Sequence, residues 1–321
     1  MGEEAVEENK TKPEIAADDR AETGRGADAP EGPIGECHAH LFMDGYDYRQ
    51  AVARHHLEPD ESAVRAALAS CRDAQVEFLR DGGDHYGVSV LGKQLAPEYG
   101  ITCITPVFAI HKEGTYGKVV GRSFSDRKEY TALVQEAKKQ GADFIKIMTT
   151  GIMTFASVGD LTGTPLEKEE IRWMTAIAHD AGLSVMSHTN GAESVIRAAE
   201  AGVDSIEHGN FQNQESLAAL AEHRVLWVPT TVTVKNLIGC GRFDDAVLQE
   251  IYQDVCRKIR IARVLGVQMA LGSDAGAYCV HHGTGIRQEL ESFQSIFPGD
   301  ESLGKYLRKG EAEIRRRFVP Q

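Results

Sequence analysis

Two histidines lie two residues apart in the apolar stretch GECHAHLFMDG, residues 35–45. Alternate side chains of a strand point to the same face, so His38 and His40 would project together if this stretch is a strand. In a chain with twelve histidines, such a pair also arises by coincidence. Two neutral imidazoles in this arrangement can bind one metal ion. The spacing therefore indicates a metal site only if further ligands follow elsewhere in the chain.

Further candidate ligands stand near the ends of later apolar runs. They are Lys146 in FIKIM, His188 in SHTN, His208 in IEHG and Asp274 in GSDAG. Each has an ordinary explanation when taken alone, such as an ion pair for the lysine or a satisfied core position for a histidine. Because all of them end apolar runs, as His38 and His40 do, the set favours a metal centre over six coincidences.

Lysine is the unusual member of this set, since a charged amine with a reference pKa of about 10.4 repels a divalent ion. A desolvated, neutral amine can instead take up carbon dioxide as a carbamate, whose two oxygens are able to bridge two metals. Ions about 3.5–4 Å apart can then share a hydroxide. Imidazole and carboxylate ligands suit zinc best, with manganese, iron or cobalt as alternatives. We expect two divalent ions, zinc first, and carboxylation of Lys146.

Elements that could position these ligands begin at residue 34, where β-prone runs alternate with amphipathic helical stretches. The expected strands span residues 34–40, 76–83, 101–110, 143–150, 184–190, 205–210, 226–232 and 268–276. The helical stretches include residues 123–142 and 165–182. This alternation predicts parallel strands with helical crossovers, in the α/β class. Eight strands fit a (β/α)8 TIM barrel of about 250 residues, in which strand ends meet at one mouth. A doubly wound open sheet is the alternative.

Four motifs together are typical of one superfamily. In order, the motifs HAH, FIKIM, SHTNGAESVIRAAEAGVDSIEHG and LGSDAG make the chain resemble the amidohydrolase superfamily of metal-dependent hydrolases, from residue 34 to about residue 290. The resemblance is to its carboxylated-lysine binuclear branch. The third motif and RDGG at 80–83 are similar to the imidazolonepropionase-like group, which includes Xaa-Pro and other metallodipeptidases.

The resemblance also implies a role for each ligand. It places His38, His40 and Asp274 on one metal and His188 and His208 on the other, with carboxylated Lys146 as the bridge. Asp274 would accept the proton of the attacking hydroxide and pass it to the leaving nitrogen. Most members also carry a small β-sandwich domain built from both termini. Neither arm is visible in this sequence, so we expect a barrel without that accessory domain.

Composition limits the partners. The 321-residue chain has a formal net charge of −13, which disfavours nucleic acids and anionic membranes. No apolar run approaches membrane-spanning length, and the N-terminus has no hydrophobic signal core. The six cysteines are scattered without a Cys-x-x-Cys pair, as in reduced proteins of the cytosol. We expect a cytoplasmic protein with a small-molecule substrate, and a homo-oligomer stays open.

The first 32 residues form a region of their own. They contain ten acidic residues, four basic residues and no aromatic residue. Such a segment buries too little apolar surface to offset its ordering entropy. We therefore divide the chain into an acidic, disordered tail at 1–32 and a hydrolase barrel at 33–321, with an interaction arm as the alternative for the tail.

Substrate contacts are expected from the loops at the mouth of the barrel. The candidates are His111, Tyr116, Arg122, Asn190 and His281. The loop at 111–126 is rich in cations, and a guanidinium can hold a carboxylate with two parallel hydrogen bonds. Arg122 is therefore the expected anchor for a carboxylate-bearing substrate. The alternative is that these cations are solvated and offset nearby acidic residues.

The reaction that this pattern favours is hydrolysis of a C–N amide bond in a dipeptide, an N-acyl amino acid or a cyclic amide. An esterase, lactonase or phosphotriesterase could use the same ligands, and the block around His188 and His208 disfavours it. A non-catalytic metal-binding barrel would have little need for a buried, charged mouth. A deaminase is less favoured, because a single-metal site does not need the lysine.

Overall fold

A computed structural model describes residues 34–320 as parallel strands that alternate with helices. The tail expected at 1–32 lies outside the described residues. The strands are β1 Ile34–Ala39, β2 Val76–Asp81, β3 Thr102–Ile104, β4 Ala109–Lys112, β5 Gly121–Phe124, β6 Ile145–Met148, β7 Val185–Thr189, β8 Ser205–His208 and β9 Leu226–Val228. These bounds match seven of the predicted strands closely enough to confirm the α/β class.

The helices mostly follow the strands along the chain. They are α1 Tyr48–His55, α2 Glu61–Asp73, α3 Val88–Leu95, α4 Arg127–Lys139, α5 Lys168–Asp180, α6 Ala192–Glu200, α7 Gln214–Glu222, α8 Val232–Lys235, α9 Asp245–Val264, α10 Thr284–Ile296 and α11 Leu303–Phe318, with a 3-10 turn at Ala96–Tyr99. The helices predicted within residues 123–142 and 165–182 are confirmed as α4 and α5. Within residues 34–320, every helix is too short or too polar to span a membrane.

The strands form two parallel sheets, in the orders β1-β2-β3 and β5-β4-β6-β7-β8-β9. The segment at 268–276, expected as the eighth strand, has no regular strand of its own. It nevertheless lies between β9 and β1, because Trp227 N donates to Gln268 O at 3.1 Å and Cys37 N donates to Leu271 O at 2.9 Å. The observed arrangement is thus two linked sheets rather than one continuous closed ladder.

The two sheets separate within the third predicted strand. β3 pairs with β2, whereas β4 pairs with β5 and β6. Pro106 lies between them and has no N–H to donate, and Val107 has a positive φ of 68°. The single predicted strand at 101–110 is therefore two short strands joined by a bend. β5 was not expected as a strand, because the helical pattern of α4 was extended back to residue 123.

The inner core combines strand residues with the last helix. One buried cluster contains Cys37, Phe78, Ile104, Phe144, Met186, Leu226, Val228, Ala270, Ile314 and Phe318. Its members come from both sheets, from the 268–276 segment and from α11. The Phe144 and Phe318 rings meet edge to face with centroids 5.5 Å apart. The strands therefore surround one apolar core, and α11 packs against it.

Candidate metal centre

The six predicted metal ligands lie together near the carboxyl ends of the strands. We call them the ligand cluster, and its members are His38, His40, Lys146, His188, His208 and Asp274. The four imidazoles and the lysine are buried, and the Asp274 side chain is 15% exposed. Parallel strands bring residues that are up to 236 positions apart in sequence to this one place.

The amine of Lys146 stands at the centre of the ligand cluster. Its Nζ is 3.2 Å from His38 Nε2 and 3.0 Å from His40 Nε2. Asp274 Oδ1 lies 3.5 Å and 3.7 Å from the same two nitrogens. Ligand atoms of His38, His208 and Asp274 also lie within 4.8 Å of one another. Nitrogen and oxygen lone pairs of the histidines and Asp274 thus surround the Lys146 amine. A metal ion requires the same convergence of lone pairs on a positive charge.

Backbone carbonyls fix the tautomers of two of the imidazoles. His40 Nδ1 lies 3.3 Å from Gly83 O, and His188 Nε2 lies 3.0 Å from Gly151 O. A carbonyl oxygen can only accept, so these ring nitrogens carry the proton. His40 Nε2 and His188 Nδ1 are then left with free lone pairs. Such partners orient metal-binding histidines and raise their basicity.

Side chains hold the other two imidazoles. His208 Nδ1 lies 2.8 Å from Thr230 Oγ1, and His38 Nδ1 lies 3.0 Å from Glu207 Oε2. Both contacts leave the Nε2 atoms facing the ligand cluster. Each of the four rings therefore has one nitrogen held by a neighbour and one available to a metal.

A buried ion pair lies behind His38. Arg80 Nη2 donates to Glu207 Oε1 at 2.8 Å, and both side chains are fully buried. Arg80 Nε also donates to Cys37 O at 2.6 Å, and the guanidinium lies over the Phe318 ring at 4.6 Å. This pair joins the ligand cluster to the apolar core. Sequence reasoning missed Glu207, although a charge inside a short apolar strand was a signal.

The backbone around the ligand cluster is tightly constrained. A Cβ on Gly82 would lie 2.3 Å from His40 Cε1 and 2.7 Å from Lys146 Nζ, so a side chain there would displace both ligands. His208 and Asp274 adopt positive φ angles of 66° and 59°. Non-glycine residues in this region are strained by about 1–3 kcal/mol, and such strain concentrates at functional sites.

Burial dominates the protonation of the ligand cluster. It lowers the pKa of His188 to about 4 and that of the other three imidazoles well below the usual range. Burial also lowers the pKa of Lys146 to about 8, opposed by Asp274, and raises the pKa of Asp274 to about 7, opposed by Lys146. The imidazoles are consequently neutral near pH 7, which is the form that binds metals.

A cavity of about 510 Å³ opens onto the ligand cluster. Its polar floor includes His188, His208 and Asp274, and Tyr116 and Asn190 also line it. The Tyr116 ring lies 5.1 Å from that of His188. Two of the five expected substrate contacts therefore face the same space as the ligand cluster.

The other three candidates face different spaces. His111 and Arg122 line a separate cavity of about 1100 Å³, and His281 lines a third cavity of about 300 Å³. Arg122 pairs with Glu136 at 2.5 Å and lies over the Phe108 ring. The structure therefore does not bring Arg122 to the cavity of the ligand cluster, because β5 holds it on the outer side of β4.

Sequence reasoning also missed the outer wall of the 510 Å³ cavity. We call this wall the rim, and its members are Phe155, Arg242, Phe243 and Tyr278. They come from three loops that carry no periodic pattern, so only the position of these loops after strand ends could have indicated them.

Comparisons with known proteins agree with this geometry. The model of the amidohydrolase family matches residues 37–295. An uncharacterized protein of Mycobacterium tuberculosis is 28% identical over 187 residues, which are 56% of this chain and 49% of that protein. The chain thus spans about half the length of the curated relatives that it matches.

Solved structures share the fold. A Xaa-Pro dipeptidase with methionine bound in its active site matches with a TM-score of 0.70 at 22% identity, over 89% of this chain and 75% of that one. A. niger ochratoxinase matches with a TM-score of 0.71 at 19% identity, over 90% and 72%. These likenesses support a TIM-barrel-like α/β fold. The family match covers most of the chain, and the chain therefore belongs to the amidohydrolase family.

Proposed function

We propose that this protein is a metal-dependent hydrolase that cleaves a C–N amide bond in a small-molecule substrate. The observation that carries the proposal is the convergence of the ligand cluster on the floor of one open cavity. Membership of the amidohydrolase family supports the same reaction class. A Xaa-Pro dipeptidase and an ochratoxinase, which share the fold, are by their names consistent with this reaction class.

The residues present fit a metal centre. In each imidazole, one ring nitrogen contacts a neighbouring polar group and the other is available to a metal. The Lys146 amine already lies about 3 Å from two of the available nitrogens, those of His38 and His40. We assign His38, His40 and Asp274 to one divalent ion and His188 and His208 to a second, with carboxylated Lys146 between them. Zinc suits this mixture of imidazole and carboxylate. When bound, the metals would activate a water and polarise the substrate carbonyl.

Asp274 is the group that we assign to proton transfer. Its side chain is 15% exposed on the floor of the cavity, where it can reach both the other ligands and a substrate. Its Oδ1 already lies among the ring nitrogens of the ligand cluster. The carboxylate would accept a proton from the attacking water and deliver it to the leaving nitrogen, so that it returns to its starting charge in each cycle.

The proposal also includes a barrel architecture and a cytoplasmic location. The two sheets and the 268–276 segment would form the wall of a (β/α)8 barrel, since hydrogen bonds join that segment to β9 and β1. All six cysteines are free, which supports a reducing, cytoplasmic location. A homo-oligomer stays open.

A substrate screen tests the function. Metal-loaded protein would be assayed against dipeptides, N-acyl amino acids, cyclic amides, lactones and phosphotriesters, with Asp274→Asn as the inactive comparison. We expect turnover of at least one amide class and its loss in the variant. Turnover of lactones or phosphotriesters alone would contradict the proposal and favour the alternative that uses the same ligands.

A further inference from the structure

The rim contains one cation without a charged partner. Arg242 is the only lysine or arginine that lines the 510 Å³ cavity within the described residues. In the described part of the chain it forms no ion pair and no hydrogen bond, and its guanidinium lies 4.8 Å from the Tyr278 ring centre and 5.2 Å from that of Phe243. By contrast, Arg122 is already paired with Glu136.

No group of the described residues accepts a hydrogen bond from this guanidinium, so its N–H groups are available to a ligand. A guanidinium over an aromatic face keeps its N–H groups in its own plane, where they can form two parallel hydrogen bonds to a carboxylate. Stacking also reduces the rotamer freedom that binding would otherwise remove. The arrangement is therefore suited to an anion with planar geometry.

Aromatic side chains make up the rest of the rim. The Phe155 and Phe243 rings lie 4.9 Å apart, and Ile152, Met153 and Leu237 line the same cavity. Phe155 has a positive φ of 60°, which is a strained conformation for a bulky side chain. An aromatic or aliphatic group of a ligand would find its contact surface here.

We propose that Arg242 binds the free carboxylate of the substrate, and that the substrate is an N-acyl amino acid or a dipeptide with an apolar side chain next to that carboxylate. This inference rests on the proposed function for the identity of the scissile amide. It assigns the scissile bond to the floor of the cavity, the carboxylate to Arg242 and the apolar side chain to Phe155 and Phe243. Arg242 thereby replaces Arg122 as the anchor.

Ligand binding tests this inference separately from turnover. The probe is the ketomethylene analogue of N-acetyl-L-phenylalanine, in which CH2 replaces the amide nitrogen so that hydrolysis is impossible. The same ketone without its carboxylate is the neutral comparison. Calorimetric titration of metal-loaded protein would measure both dissociation constants for the unaltered chain and for Arg242→Met, Arg122→Met and Arg127→Met. Arg127 is the matched control, because its guanidinium likewise lies over an aromatic ring, that of Trp173, without an ion pair among the described residues, and it lies outside the cavity.

We expect the unaltered protein to bind the carboxylate probe at least ten times more tightly than the neutral ketone. Arg242→Met should remove this preference and leave binding of the neutral ketone unchanged, whereas Arg127→Met and Arg122→Met should keep the preference. Equal binding of both probes by the unaltered protein would overturn the inference. So would equal weakening of both probes by Arg242→Met, or loss of the preference in Arg122→Met instead. If the preference follows Arg242 but no amide is hydrolysed, only the proposed function fails.

Discussion

The floor and the rim of the 510 Å³ cavity are built in opposite ways. The ligand cluster on the floor comes mainly from strand ends and is almost entirely buried, and each imidazole has a polar neighbour within 3.3 Å of the ring nitrogen that faces away from the cluster. The rim comes from loops, is half-buried or exposed, and contains a cation without a charged partner. Rigid elements thus fix the groups that need accurate geometry, while loops provide the surface that selects a ligand.

Because of this difference, we expect substitutions on the floor and on the rim to have different effects. Changes on the floor should reduce metal affinity or turnover by large factors for all substrates. Changes on the rim should alter affinity for particular substrates and leave the metals in place.

Asp274→Asn should have the largest effect. The amide cannot accept and return a proton, and general acid–base catalysis contributes a factor of about 10²–10⁴. We expect kcat to fall by at least about 10²-fold, with the melting temperature unchanged within a few degrees. Asp44→Asn is a suitable control, since Asp44 pairs with Arg54 at a separate cavity. A kcat equal to that of the unaltered protein would remove Asp274 from its assigned role.

Glu207→Gln should reduce metal affinity by about 10- to 100-fold, the usual effect of removing a partner of a metal-binding histidine. The change places a neutral amide beside His38 Nδ1 and leaves the Arg80 guanidinium buried without its carboxylate. Competition with a chelator would measure the affinity, and circular dichroism would check the fold. Unchanged affinity in a folded variant would show that the ion pair serves only packing.

Phe155→Ala should produce a smaller and more selective change. The side chain is half-buried on the rim, so its loss removes apolar contact from the substrate and little from the protein core. We expect KM for an apolar substrate to rise by about 3- to 10-fold with kcat and metal content retained. A loss of bound metal would mean that the rim and the floor are not independent.

Glu289 lies outside both regions, and a change there should affect stability rather than metal content or substrate affinity. Its buried carboxylate accepts hydrogen bonds from Thr231 N, Thr231 Oγ1 and Val232 N, and burial raises its pKa to about 7. Because the folded pKa is above the unfolded value, its contribution to stability is complete below about pH 4.5 and is lost as the pH rises through 7. In Glu289→Gln the free energy of unfolding should decline less over this interval, by up to about 3 kcal/mol. Parallel pH profiles would contradict this assignment.

The position of the ligand cluster could be predicted from the sequence, because the spacing of residues along a strand determines which face they share. His38 and His40 share a face through their spacing of two, and residues at the ends of parallel strands meet whatever their separation along the chain. The α/β class was predicted from the alternation of strands and helices, and the amidohydrolase family from the resemblance of four motifs; both are confirmed. The roles of the six ligands stay predictions until metals are measured.

Other features depended on contacts that no periodic pattern encodes. Pro106 divides the third strand, and nothing in the apolar run 101–110 indicated that its halves pair with different sheets. Arg122 lies within β5 and Arg242 lies in the loop after α8, and only Arg242 lines the cavity of the ligand cluster. The pairing of Arg122 with Glu136 depends on how β5 and α4 pack, which a single sequence does not reveal.

Metal content is the most direct test of the central claim that the ligand cluster is a binuclear metal centre. Elemental analysis would be carried out on the unaltered chain and on Lys146→Ala, both expressed with added zinc and then freed of loosely bound ions. We expect two divalent ions per unaltered chain and fewer than one in Lys146→Ala, with metal content partly restored by added short carboxylic acids. A content of one ion or fewer in the unaltered chain, or two in folded Lys146→Ala, would contradict it.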